Sequence, residues 1–200
     1  MKIILIGATG TIGSAVATLL EPDHDIVKVG HTHGDFQVDL ASMASIEVLF
    51  REVGDFDAVV SAAGQANFGS LEELTDEDFH YAFSNKLMGQ INLVRIGRKY
   101  IDYAGCFTLT TGVLSQRPIP GGAAISTVNA ALEGFVRAAA IELPQGMRIN
   151  AVSPVFVKET MVKLGMDPSS GMSAAQTAIA YKDSVDGNDT GQVLDVRKYA

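Results

Sequence analysis

The 200-residue sequence holds one cysteine, six prolines and no tryptophan. A single cysteine excludes an internal disulfide and fits a reducing compartment, so the chain is expected in the cytoplasm. No apolar run is long enough to span a bilayer, and Ile3 to Ile6 is too short for a signal-peptide core. Basic residues are also scarce: 15 Lys and Arg face 23 Asp and Glu, a net charge of −8. That balance argues against nucleic acid or an anionic membrane as the main partner. It leaves room for an anionic cofactor, because local amides and dipoles can outweigh the global field. His31 and His33 share a face of an extended segment, but no third ligand lies near them in sequence, so no metal is expected. Cys106 sits in the apolar run Cys106 to Leu109 and reads as a buried structural thiol.

With 47% hydrophobic residues, the chain can bury a sizeable core. No repeat, low-complexity tract or linker divides it, so residues 1–200 are expected to form a single domain. Its organising stretch is the N-terminal one. Ile3 to Ile6 is a continuous β-branched and apolar run, the pattern of a strand buried on both faces. Glycines follow at 7, 10 and 13, and a helical pattern runs from Ser14 to Leu20. Gly7 permits a sharp exit from the strand, Gly10 lets backbone approach a phosphate, and Gly13 lets the helix pack closely. Free amides and the dipole at that helix start suit a pyrophosphate. The alternative is a tight strand-to-helix turn with no ligand.

Strand and helix patterns alternate along the rest of the chain, which predicts an α/β fold with a doubly wound parallel sheet of the Rossmann type. Further strands are expected at Asp25 to Gly30, Phe36 to Val38, Phe56 to Ser61, Cys106 to Thr110, Met147 to Val152 and Gln192 to Val196. Helices are expected at Met43 to Val53, capped by Ser42 or Ser45, and from Thr75 to about Tyr100, with a break. Two more follow, at Ala123 to Leu143 and Ala174 to Ser184.

The end of the second strand bears on the choice of dinucleotide. An acid there would bind the adenosine ribose 2′-hydroxyl and repel a 2′-phosphate. The sequence runs Gly30-His31-Thr32-His33, with no acid until Asp35. His31 and Thr32 can donate to a 2′-phosphate, so NADP(H) is expected, with NAD(H) as the alternative.

Taken together, these positions resemble the short-chain dehydrogenase/reductase family over nearly the whole chain. The glycine loop (Gly7, Thr9, Gly10, Thr11, Ile12, Gly13) is similar to that family's. Asp39-Leu40 resembles its adenine-contacting pair, and Ser61-Ala62-Ala63-Gly64 its signature after the fourth strand, without either asparagine. Asn85-Lys86-Leu87-Met88-Gly89 is similar to the helix carrying the family's catalytic asparagine. Ala130 to Phe135 and Arg148 to Pro154 resemble the elements flanking its active site. The resemblance implies Asn85 and Thr111 as catalytic, with Thr111 taking the serine position to within one residue. It implies contacts from Ala62, Ala63, Gly64, Pro154, Val155 and Thr160 to the cofactor. It also implies a homodimer through the helices around Leu87 to Tyr100 and Ala123 to Leu143, with a tetramer as the larger alternative.

The chemistry departs from that pattern. The family uses a tyrosine and a lysine one helical turn apart, so that the ammonium lowers the phenol pKa and binds the cofactor ribose. Alignment on Ala130-Ala131-Leu132 puts Ile125 at the tyrosine and Asn129 at the lysine. No tyrosine elsewhere has a lysine four residues on. Asn129 retains the capacity to bind ribose hydroxyls as a neutral group, and the Thr111 hydroxyl can hydrogen-bond a carbonyl. A strand-end threonine and a helix-kink asparagine would account for Thr111 and Asn85 equally well. Lys86 is expected in solvent, since adjacent helix positions point about 100° apart. Val155 replaces the family's glycine, and the segment from Val157 to about Ala180 is a reduced form of its substrate lid. Two functions follow from this pattern. One is an NADP(H)-dependent oxidoreductase acting on a small carbonyl or alcohol with a nonstandard site. The other is a nucleotide-binding sensor or assembly protein without hydride chemistry.

Overall fold

Residues 1–199 are described in the computed structural model. Seven strands form one parallel sheet: β1 (Lys2–Ile6), β2 (Asp25–Gly30), β3 (Phe36–Gln37), β4 (Phe56–Ser61), β5 (Ile101–Thr110), β6 (Arg148–Ser153) and β7 (Val193–Asp195). Their spatial order is β3-β2-β1-β4-β5-β6-β7. The chain runs outward from β1 in one direction and then returns to build the other half. The order therefore reverses between β1 and β4, and an open α/β sheet has its ligand crevice beyond the strand ends at that point.

Side chains alternate across β1, so each face of the sheet carries its own core. Ile4 and Ile6 pack with Phe50, Val59, Leu93, Phe107 and Val128. This face is covered by α2 (Met43–Val53), α4 (Gly89–Gly97) and α5 (Ala123–Glu142). Ile3 and Leu5 pack with Val16, Leu20, Val60 and Tyr181 on the opposite face. There α1 (Thr11–Leu20) lies against α7 (Ala174–Asp186). With both faces covered, the strands must be apolar throughout, which is why β1 reads as an unbroken hydrophobic run.

Several expected boundaries move. Helix α1 starts at Thr11 rather than Ser14, with Gly10 as its N-cap. Ser42, not Ser45, caps α2 by accepting from the Ser45 amide; the Ser45 hydroxyl instead accepts from the Asp39 amide. β5 begins five residues before Cys106, at Ile101, because Phe56 pairs with Ile101 while Ala58 pairs with Cys106. The residues between loop out as a bulge that alternation alone does not reveal. The expected break in the long helix takes a specific form: α3 (Asp76–Ala82) passes through a π-helical segment, Phe83–Met88, into α4. A short helix, α6 (Lys158–Lys163), follows β6. Cys106 is buried as expected, and burial pushes its thiol pKa up. No helix among the described residues is long and apolar enough to cross a membrane.

Candidate dinucleotide and substrate site

At the β1–β4 reversal, the strand ends open into a cavity of about 520 Å³. Its floor is the glycine turn. Gly7 has φ +81°, where side chains are strained, and a Cβ there would sit 2.8 Å from the Ala62 carbonyl oxygen. A Cβ on Gly13 would lie 2.0 Å from the Gly7 carbonyl oxygen, so helix α1 meets the turn by backbone contact. The Gly10 amide donates to Gly7 O at 2.9 Å. No side chain caps α1, and no acid occupies its first turn. An uncapped helix start leaves its first amides without intrahelical partners, which suits an anion.

Thr9, Gly10, His31, Asp39, Leu40, Ala62, Ala63, Gly64 and Asn85 line this cavity together with Gly7. Most of the residues expected around the adenine half therefore line one cavity. Thr32 is not among the lining residues; its hydroxyl pairs with His33 Nδ1 at 2.8 Å. Thr11 is also off the wall, and its hydroxyl accepts from Lys163 Nζ on α6 at 3.2 Å. His31 is the sole basic side chain lining this cavity among the described residues. No group of three or more His, Cys, Asp or Glu positioned for a metal occurs among the described residues.

Two lining residues carry no family signal in the sequence, Gln65 and Tyr81. The Tyr81 hydroxyl donates to Gln65 Oε1 at 2.6 Å, and the Gln65 amide donates to Asn85 Oδ1 at 2.9 Å. Asn85 therefore holds the loop after β4 against the helix.

Ala62, Ala63 and Gly64 also form one wall of a second cavity, of about 260 Å³, at the ends of β4, β5 and β6. Ile12, Phe68, Thr111, Ile125, Asn129, Pro154, Val155 and Phe156 contribute to its lining. Most of that surface is apolar. The Phe68 and Phe156 rings stand 6.5 Å apart. The Thr111 hydroxyl donates to the Asn129 carbonyl oxygen at 2.9 Å. Asn129 is 2% exposed, and its Oδ1 has no hydrogen-bond partner. Thr160 sits on α6, outside the lining of either cavity.

Lys86 contradicts the expectation of a solvated side chain: it is 5% exposed and lines the second cavity. Its α-carbon lies in the π-helical segment, and its stem runs under Gly64, where a Cβ would sit 2.9 Å from Lys86 Cγ. The expectation treated the helix as having one face toward a single crevice. The loop after β4 instead crosses the helix with a cavity on each side, so Asn85 meets one and Lys86 the other. A π turn is a frequent device for re-aiming side chains at sites. Burial lowers the Lys86 pKa to about 8.

The strand end beneath Lys86 is tightly held. Gln90 accepts from the Thr110 amide at 2.8 Å and donates to the Thr110 carbonyl oxygen at 2.9 Å. The Thr110 hydroxyl donates to Ser61 O, so the Tyr181 hydroxyl donates to Thr110 Oγ1 at 2.6 Å. Burial pushes the Tyr181 pKa up.

The cavities, glycine turn and strand reversal define a Rossmann-type nucleotide crevice beside an apolar pocket that shares its Ala62 to Gly64 wall. The residues present fit a dinucleotide: open amides for a pyrophosphate, and a first cavity that shares the Ala62 to Gly64 wall with the second. A family model described as Enoyl-(Acyl carrier protein) reductase matches residues 7–194. The chain belongs to the short-chain dehydrogenase/reductase family. It is similar to the hydroxynaphthalene reductase arp2 of Aspergillus fumigatus, at 31% identity over 84% of this chain and 66% of that protein. The chain thus spans about two thirds of that relative's length. The solved structure of lin1944 from Listeria innocua shares 43% identity, with a TM-score of 0.94 over 98% of this chain and 99% of that one. A small-chain dehydrogenase in complex with NADPH shares 25% identity, with a TM-score of 0.85 over 98% of this chain and 95% of that one.

Proposed function

We propose that this protein is an NADP(H)-dependent oxidoreductase that acts on an apolar carbonyl or its alcohol. One observation carries the reading: the uncapped start of α1 borders a cavity that shares a wall, Ala62 to Gly64, with an apolar pocket. The α1 amides would hold the pyrophosphate of a dinucleotide at the first cavity, and the residues of the second would surround its reacting end. The NADPH complex of the structurally similar dehydrogenase supports the cofactor assignment. The name of the A. fumigatus relative supports a reductive reaction on an aryl-type substrate. Asp39 and Leu40 would border the adenine, Asn129 the ribose and Thr111 the carbonyl.

Fluorescence titration with NADPH and NADH, with calorimetry of the oxidised forms, tests this assignment. Micromolar binding of NADPH supports the reading, and no binding of any of the four nucleotides overturns it. His31 gives a second check, because it lines the cavity where a 2′-phosphate would sit. His31→Asp replaces a donor with a repelling charge, so NADPH affinity should fall by about tenfold or more while NADH affinity holds. Equal changes for both nucleotides would place the 2′-phosphate elsewhere.

The second reading, a nucleotide-responsive protein without hydride transfer, is favoured by Ile125 and Asn129 lining the reacting end. Single-turnover oxidation of NADPH by a ketone separates the two. We also infer a homodimer through α4 and α5, with a tetramer as the larger alternative. Ala130, Ala131, Gly134 and Ala138 leave an exposed face of small residues on α5, and Ile141 beside them is 87% exposed. Light scattering that shows a monomer at micromolar concentration overturns this.

A further inference from the structure

The second cavity has one ionisable side chain among its described lining residues, and it is Lys86. That amine is poorly satisfied. Its one hydrogen bond runs to the Thr110 carbonyl oxygen at 3.4 Å, an acceptor that Gln90 already holds at 2.9 Å. It takes part in none of the ion pairs among the described residues. A buried ammonium has three protons to donate and disfavours isolation from acceptors. Leucine or methionine would fill this place with less cost to folding, so a lysine that lines an apolar pocket with its amine so poorly bonded calls for a ligand oxygen.

We propose that Lys86 is the proton donor to the substrate carbonyl oxygen, serving where Ile125 and Asn129 leave no acid. The inference rests on the oxidoreductase reading above. The carbonyl carbon accepts hydride from the reduced nicotinamide, and the C=O π pair moves onto oxygen. An N–H bond of Lys86 breaks as the O–H bond of the alcohol forms. The neutral amine then regains a proton from solvent. In the oxidative direction the same amine, unprotonated, accepts the hydroxyl proton.

The surroundings leave this titration to Lys86 alone. The loops after β4 and β6 present Ala62, Ala63, Gly64, Pro154 and Val155, none of them titratable. On α5, Glu133 is engaged by Ser115 and Arg137. On α3, Tyr81 is bonded to Gln65, and on α7 Tyr181 is bonded to Thr110. With burial holding the amine pKa near 8, carbonyl reduction should be level below about pH 8 and fall above it. Alcohol oxidation should rise through the same window.

The test compares wild type with Lys86→Met and Lys86→Arg, using 1-tetralone and NADPH. Methionine fits the unbranched stem and removes an ill-satisfied charge, so Lys86→Met should melt at least as high as wild type at pH 7. NADPH titration should still show binding in every variant. Turnover should fall by about 10²- to 10⁴-fold in both variants, since arginine keeps the charge but cannot release its proton. Independently of turnover, a ¹³C NMR titration of labelled lysine should show one resonance, absent in Lys86→Met, with a midpoint near 8. Three results overturn the proposal while NADPH binding stands: unchanged turnover in Lys86→Met, a Lys86 amine titrating with the surface lysines, or no reduction of 1-tetralone by wild type. Borohydride trapping of 1-tetralone on Lys86 overturns it too, by assigning a Schiff base. Failure of wild type to bind NADPH overturns the oxidoreductase reading instead.

Discussion

Gly13→Ala should destabilise the protein by about 3 kcal/mol and weaken NADPH binding by more than about 100-fold, the largest effect expected from adding one methyl group. The added Cβ would stand 2.0 Å from Gly7 O, 2.6 Å from Gly7 C and 2.9 Å from Ala8 Cα. All three are backbone atoms, so no rotamer change relieves the overlap, and either α1 or the turn must shift. A shift of about 1 Å misaligns the helix-start amides with the pyrophosphate. Gly10→Ala is the control. Its Cβ would meet only Gly7 O, at 3.2 Å, and the Gly10 backbone is extended. It should fold with a loss below about 1 kcal/mol and report mainly on how closely the phosphate approaches. Urea denaturation and NADPH fluorescence measure both quantities. Equal behaviour of the two variants would refute the division of labour in the turn.

Gln90→Leu should cost a similar amount, about 3 kcal/mol, from a residue that touches neither cavity. Gln90 is fully buried and satisfies both backbone groups of Thr110. Leucine would leave the Thr110 amide orphaned and its carbonyl with only the long contact from Lys86. Each buried unsatisfied group costs about 1–3 kcal/mol. Under the proton-donor proposal, the loss also reaches the chemistry. Freed of its competitor, the Thr110 carbonyl would draw the Lys86 ammonium to itself and away from the pocket. The reductive pH limb should then move upward. Chemical denaturation with a pH–rate profile of the same variant would show the two effects together. A stability loss with an unmoved limb would confine Gln90 to folding.

The adenine half was legible in the sequence because its determinants are local. A strand, three glycines at fixed spacing and a helix all lie within the first twenty residues, and Asp39 to Leu40 follow a single short strand. The sheet was legible for a related reason, since strands buried on both faces announce themselves as apolar runs. What escaped depended on departures from regular geometry. The π-helical segment changes which residues of Phe83–Met88 face the crevice, and an α-helical wheel places Lys86 wrongly. The bulge within β5 hides Ile101 as a strand residue behind Asp102 to Ala104, which are exposed. Position along the chain points to Thr32 and Thr160, yet neither lines a cavity. Lys163 was missed because its approach to Thr11 links residues 152 positions apart. No local pattern encodes such a contact.

The two cavities share only Ala62, Ala63 and Gly64 as neighbouring walls from the loop after β4. The first is otherwise built from the ends of β1 and β2, the segment Val38 to Ala41, and Tyr81 and Asn85; the second is built from the ends of β5 and β6, Lys86, α5 and the turn at Pro154 to Phe156. Substitutions in outer walls that share no partner should have free energies that add. Selectivity for what is transformed can therefore drift, one residue at a time around Phe68 and Phe156, while nucleotide affinity stays fixed. Such independence ends at the three small shared residues and at the adjacent pair Asn85 and Lys86. A larger side chain at Ala63 would be felt in both compartments at once.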